Sequence, residues 1–342
     1  MGFSRRWYAT VCCALATGGL VAGLLNQTDL RLLGVLMFVG FTFICLFGAA
    51  LGGWQASVIP TARQATLSAW SQVANIGAAG LMAFLSVRLI RHFSLPVAAA
   101  LLACMVMLPT VIFLFIPAPG PDRRLARESF SGLLRAIVSL FRRGEVILVL
   151  LLFGLPSSSF TLTNILPGLG GDFHTPERTA SLINGVGVRL AGIVASLLGG
   201  RLCARLPLRR LYLGVGIVGG LSTLSSLLLA RTPEAFGIAT LGQNAFQALA
   251  FTVSTALALR TVGHGNALAA TEFSILMSAV NLPLFYMQFI DSHSYTLRGV
   301  PGAFITDAGV SIAVCVGLLG LLTFLRMRSR GKVERVALEP AG

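Results

Sequence analysis

Ten apolar runs, each 19 to 27 residues long, alternate with short polar stretches along the chain: A 8–26, B 31–54, C 64–90, D 95–117, E 146–169, F 178–200, G 212–230, H 235–260, I 267–290 and J 300–325. A helix needs about 20 apolar residues to cross a bilayer. Strands of a membrane barrel would instead give alternating segments of about 10 residues. The runs are continuous, so the pattern predicts an all-α polytopic membrane protein of about ten spans with no soluble domain. Four runs precede the most polar stretch, 118–145, and six follow it. The pattern therefore divides the chain into an N-terminal half at 1–117, a connector at 118–145, and a C-terminal half at 146–342.

The connector carries Arg123, Arg124, Arg127, Arg135, Arg142 and Arg143. Within it, Leu125, Phe130, Leu133, Leu134, Ile137, Leu140 and Phe141 recur at helical spacing. This predicts an amphipathic helix at the membrane surface. It reads equally as a coupling element or as a tether with solvated charges.

Charge adds an orientation. The net charge of +14 would fit a nucleic-acid binder, but the basic residues sit in short loops between spans, so nucleic acid is excluded as a partner. One set of loops, with both termini, holds 19 of the 26 Lys/Arg and the other set holds 6. The positive-inside rule places the first set, and both termini, in the cytoplasm. The first run is longer than the core of a signal peptide and is read as a retained span.

Charges inside a membrane cost about 2.5–3.5 kcal/mol and normally face a cavity or a partner. Arg189 lies mid-span in F, Glu272 near the cytoplasmic end of I, and Asp307 near the outer end of J. Arg189 is a candidate for binding an anionic solute or for pairing with Glu272. Glu272 and Asp307 are candidates for proton coupling and lie at different depths. Uncharged polar residues add Gln72 in C, Asn164 with Ser157, Ser158, Ser159, Thr161 and Thr163 in E, and Gln243, Asn244 and Gln247 in H. Pro156 predicts a kink in E. Asn75, Asn184 and Asn281 read as interhelical hydrogen-bonding residues. Glycines at 77, 80, 214, 216, 219 and 220 predict close helix packing.

The six cysteines lack metal spacing and read as small packing residues. The four histidines fall in or near loops, and no Ser/His/Asp or metal constellation forms at one depth. No enzyme activity and no cofactor are expected.

The two-halves pattern resembles major facilitator superfamily transporters. The F–G loop, Gly200 with Arg201, Arg205, Arg209 and Arg210, is similar to that superfamily's loop motif G-x-x-x-D-R followed by R-R, with Ala204 in place of the Asp. The resemblance implies a gating role for Gly200, Arg205, Arg209 and Arg210, without an Asp–Arg pair. Span C (ATLSAWSQVANIGAAGLMAFL) and span I (ATEFSILMSAVNLPLFYMQFID) resemble the branch of AmpG-type muropeptide permeases and acetyl-CoA transporters. Gly52-Gly53-Trp54-Gln55 stands where that branch often has acidic residues.

Members have six plus six helices. The resemblance therefore implies that A–D match the third to sixth, and that two helices are missing before Met1. The reading frame upstream tests this. It also implies cavity lining by B, E and H. The expected function is a secondary active permease of the inner membrane. It would be monomeric and proton-coupled, and would move a small polar or anionic solute: muropeptide-, acyl-CoA- or siderophore-like. A non-transporting membrane protein, either a sensor or a defective transporter, remains the alternative.

Overall fold

The computed structural model describes residues 5–115, 135, 137–263 and 268–338. The predicted connector helix lies mostly outside the described residues; 137–140 are helical. The described residues contain helices and turns and no strand. The helices are α1 (Arg5–Leu25), α2 (Leu30–Val58), α3 (Gln64–His92), α4 (Leu95–Met107), α5 (Gly144–Gly154), α6 (Glu177–Leu182), α7 (Val188–Arg205), α8 (Leu208–Ser226), α9 (Pro233–Val262) and α10 (Ala269–Leu338). A π turn, Ile183–Gly187, joins α6 to α7, so the two fill span F as one rod.

Among the described residues, seven helical stretches are long and apolar enough to cross a membrane, and α5 is a shorter apolar helix. Their surfaces carry the signature of a lipid environment. Phe38 on α2 and Phe289 on α10 are 74% and 79% exposed. Of the 29 residues of α2, only small residues and Trp54 are buried. Hydroxyls inside helices bond to the carbonyl one turn back, as Thr17 does to Cys13 (2.8 Å) and Ser196 to Gly192 (2.8 Å). Hydrocarbon offers no other partner.

Packing groups the chain into two units that do not follow chain order. The first is Met1–Gln64, Ala74–Val149 and Ala258–Ser278. Its core joins Ala9, Ala50, Trp54 and Phe113, with Trp54 edge-on to the Phe113 ring at 5.3 Å. Gly52 and Gly53 admit α10: a Cβ on Gly53 would lie 2.5 Å from the Ala270 backbone, and one on Gly52 would strike the Phe273 ring. Small residues therefore occupy these positions for contact. The expected close packing is not found at Gly77 or Gly214, where a Cβ would meet nothing within 4 Å.

The second unit is Ala65–Val73, Leu150–Leu257 and Ala279–Gly342. Its core includes Leu162, Leu166, Phe173, Phe236, Val300 and Phe304. Spans I and J are joined differently from expectation. Helix runs through the predicted loop to Arg298, and the turn is one residue, Gly299, at φ 64 and ψ −153. A side chain is strained at that positive φ and glycine is not. His293, expected in a loop, is therefore inside α10, and is exposed.

Candidate functional site

Span E is not the kinked helix that its proline predicted. α5 stops at Gly154, and the chain continues through an irregular stretch into two 3-10 turns, Thr161–Asn164 and Leu166–Phe173. The cause begins at Pro156. Proline has no N–H to give Leu152, and it disfavours helix at Leu155. The hydroxyl of Ser157 takes over, donating to the Leu152 carbonyl at 2.7 Å. Side chains of α10 serve two more carbonyls of the stretch. The Tyr286 hydroxyl donates to Gly154 (2.8 Å), and Ser311 and the Cys315 thiol both donate to Ser157 (2.8 Å each). Cys315 is thus more than the packing residue its sequence context predicted. The Ser158 hydroxyl donates in turn to the Tyr212 carbonyl (2.9 Å).

The break requires room on α8. A Cβ on Gly216 would lie 1.9 Å from the Ser157 carbonyl oxygen, and one on Gly219 would enter the Phe160 ring. Phe160 itself sits at φ 50, left-handed backbone that costs a non-glycine residue about 1–3 kcal/mol. It is held there by stacking on Phe246, with ring centroids 5.9 Å apart, and by Gln247 of α9, whose amide donates to the Phe160 carbonyl at 3.4 Å.

Gln247 also donates to the Thr163 hydroxyl at 2.8 Å. One turn earlier, Gln243 is buried, donates to the Thr223 hydroxyl and reaches the Asp307 carboxylate. The Thr161 backbone amide also addresses Asp307. Sequence-predicted residues from three spans, Thr161 and Thr163 of E, Gln243 and Gln247 of H and Asp307 of J, therefore meet around the broken segment. Asn164 is exposed and 3.4 Å from the Gln288 side chain. Asn244 is half-buried and turns its amide to the Thr240 carbonyl of its own helix (2.9 Å).

The other predicted site residues lie apart from this cluster. Arg189 is half-buried, two residues into α7 and just past the π turn, with no carboxylate at ion-pair distance among the described residues. Gln72 is half-buried on α3.

The expected alternative pairing of Arg189 with Glu272 is wrong. Glu272, 1% exposed in the first turn of α10, pairs with Arg143. One terminal nitrogen of the Arg143 guanidinium donates to both carboxylate oxygens, at 2.9 and 3.1 Å, and the other lies 3.5 Å from the Thr261 carbonyl. Glu272 is engaged by Arg143 in this arrangement.

In the loop motif, Gly200 is buried against α3, where a Cβ would lie 2.6 Å from that of Ala69. Arg205 is exposed in the last turn of α7, where the helix dipole favours a cation. Arg209 and Arg210 open α8, half-buried and exposed respectively.

One residue of the site was missed. Asp291 reads as the polar end of span I, yet it is fully buried and within electrostatic reach of Asp307. The missed signal is spacing: Asp291 and Asp307 each lie eight residues from Gly299. Among the described residues, no group of acidic, histidine and cysteine side chains is arranged to hold a metal.

No family model matches the chain, and no curated protein matches it. Solved structures do. The chain is similar to the Escherichia coli fucose:proton symporter FucP, with TM-score 0.68 at 14% identity over 92% of this chain and 82% of that one. It is similar to the human organic anion transporter MFSD10, with TM-score 0.66 at 15% identity over 92% and 77%. The proton:xylose symporter XylE gives TM-score 0.60 at 13% identity over 92% and 80%. At these identities the likeness is one of fold, and the chain is a multi-pass membrane protein with the helical-bundle fold of major facilitator superfamily transporters.

Proposed function

We propose that the protein is a secondary active transporter that moves a small polar or anionic solute across the inner membrane by alternating access, driven by a proton gradient. The observation that carries this reading is the break in span E. Irregular backbone at membrane depth is tolerated only where it is buried in protein or lines a cavity. Transporters use discontinuous helices to bind solute near the midplane. Here the break is flanked by Gln247, Thr163, Asn164 and Gln243, and Asp307 supplies a titratable group beside it. FucP and XylE, which share the fold, are proton symporters, which supports proton coupling.

In this reading the halves 1–117 and 146–342 rock about the solute, and the 118–145 connector ties them on the cytoplasmic side. Arg189 meets the anionic group, and Gln72, Asn164, Gln243, Asn244 and Gln247 supply hydrogen bonds. Gly200, Arg205, Arg209 and Arg210 form the gating loop. Both termini are cytoplasmic and the working unit is a monomer. The AmpG-type resemblance of spans C and I favours a muropeptide, with an acyl-CoA or a siderophore next.

The test is uptake into proteoliposomes of labelled anhydro-muropeptide, acetyl-CoA and a ferric siderophore, with and without an imposed proton gradient. One of them should accumulate only with the gradient. Arg189→Ala should lower that uptake about tenfold or more, the effect of losing one hydrogen bond to a charged group. Arg189→Ala taking up solute as fast as the wild type would remove Arg189 from the site. Accumulation of none above protein-free liposomes would sink the transporter reading for these solutes.

A further inference from the structure

We infer that Asp291 and Asp307 form a buried proton site, two carboxylates brought level by the Gly299 turn and holding one proton between them. The turn sets the geometry. With Gly299 at φ 64, the second limb of α10 folds back along the first. The Thr306 hydroxyl donates to that of Ser294 at 3.0 Å, and Gly302 packs on the Ser294 carbonyl so closely that a Cβ would lie 2.2 Å from it. Equal spacing from the turn then puts the two aspartates at one depth, roughly 12 Å from it at the helical rise.

Both side chains are closed off, at 0% and 3% exposure. Both oxygens of Asp291 and Oδ1 of Asp307 have no hydrogen-bond partner. Two further buried groups at Asp307 are incompletely satisfied. Gln243, 4% exposed, reaches the carboxylate and leaves its own Oε1 unpartnered. Thr161, 0% exposed, directs its backbone amide there and leaves Oγ1 unpartnered.

No cation answers the two carboxylates: among the described residues, neither forms an ion pair. The charged and titratable neighbours are engaged elsewhere or lie toward the turn. Tyr295, one turn beyond Asp291, gives its hydroxyl to Asp172 at 2.7 Å, with Arg231 in reach of that pair. Arg298 packs by the turn, against Gly302.

Two adjacent carboxylates in a low-dielectric interior do not both ionise. One proton removes the repulsion and turns an oxygen into a donor, which serves one of the unpartnered acceptors. When the site opens to one side the proton leaves to water, and the dianionic pair is refilled from the other side. What that proton drives rests on the transporter reading above; the proton itself does not.

The experiment uses the purified full chain in detergent and needs no solute. Infrared difference spectra taken across a pH series report the carbonyl stretch of a protonated carboxylic acid. At neutral pH the wild type should carry one such group more than the double variant Asp291→Asn, Asp307→Asn. In each single variant the remaining acid, freed of its neighbour's charge, should lose its proton at lower pH than the wild-type pair does. The wild type's melting temperature should fall as pH rises and be the same in sodium and choline chloride. A wild-type spectrum with no protonated carboxyl at neutral pH overturns the site whether or not the variants fold. So does a melting temperature raised by sodium over choline. Uptake separates the two claims: the protonated pair without uptake sinks the transporter reading alone, and uptake without the protonated pair sinks the site alone.

Discussion

The two units treat their buried polar groups in opposite ways. In the first, the one buried carboxylate among the described residues, Glu272, is answered by Arg143, one of whose nitrogens meets both oxygens at 2.9 and 3.1 Å. Its unpartnered buried atoms are Trp54 Nε1 and Gln64 Oε1, neither of them charged. In the second, Asp291 and Asp307 have no cation, and Thr161, Gln243, Ser159, Thr240 and Asn184 leave oxygens unpartnered. A buried polar group without a partner costs about 1–3 kcal/mol, and more when charged. The first unit is closed chemistry. The second keeps a polar interior incompletely satisfied, beside a helix that its own sequence breaks. Each such group calls for a partner that the fold does not itself supply: an ordered water, an ion, a proton or a solute.

The largest effect should come from closing the space that the break occupies. Gly216→Ala places a methyl where the Ser157 carbonyl, the Cys315 sulfur and the Ser158 hydroxyl already lie. The first of these is backbone and cannot rotate away. The substitution should destabilise the protein by about 3 kcal/mol or more, as overpacking against fixed atoms does. Gly214→Ala, two residues along the same helix, meets nothing within 4 Å and should be neutral or slightly stabilising. Thermal melts of both in detergent check the pair. Equal melting temperatures would mean that the broken segment gives way freely, and that the second unit is less specified than its hydrogen bonds imply.

Those glycines show which parts of the molecule were legible in the sequence. The long apolar helices were, because about 20 apolar residues in a row have few other uses. The polar cluster of H and E was also legible: Gln243 and Gln247 share a helix face by i,i+4 spacing, and that face meets Asp307 and Thr163. The extent of the break at Pro156 was not. A proline predicts a kink, while a complete interruption also needs donors for freed carbonyls. Those donors, Tyr286, Ser311 and Cys315, come from more than 130 residues away. Arg143 was legible only as one of six connector arginines, since its ion pair with Glu272 crosses 129 positions. Asp291 was hidden because one glycine, and not a loop, turns the chain.

The ion pair of the first unit gives the next effect. Arg143→Ala strips Glu272 of its partner while leaving the carboxylate 1% exposed. Breaking a fully buried pair costs about 3–5 kcal/mol. Arg143 is 44% exposed, so water shares its charge and the cost here should be about 1–2 kcal/mol. Arg143→Met with Glu272→Met removes both charges and should recover most of that loss. Melts of Arg143→Met, Glu272→Met and the double variant measure the coupling directly. No recovery in the double variant would mean that Arg143 acts through its Thr261 contact, and the contrast between closed and open chemistry would weaken.

The smallest effect concerns how the broken segment is held. Gln247→Leu removes one amide that serves both the Thr163 hydroxyl at 2.8 Å and the Phe160 carbonyl at 3.4 Å. Neither acceptor is orphaned by its loss. The Phe160 carbonyl still receives the Thr163 hydroxyl at 2.9 Å, and that hydroxyl keeps its donor role. Interhelical hydrogen bonds in membranes average about 0.6 kcal/mol, so the melting temperature should fall by only a degree or two. The left-handed backbone of Phe160 would then rest on packing against Phe246 and Gly219, which Gln247→Leu leaves in place. A loss as large as that of Gly216→Ala would reverse this assignment. It would mean that one amide, and not the glycine face of α8, keeps the helix broken, and that a solute competing for Gln247 could close or open the break.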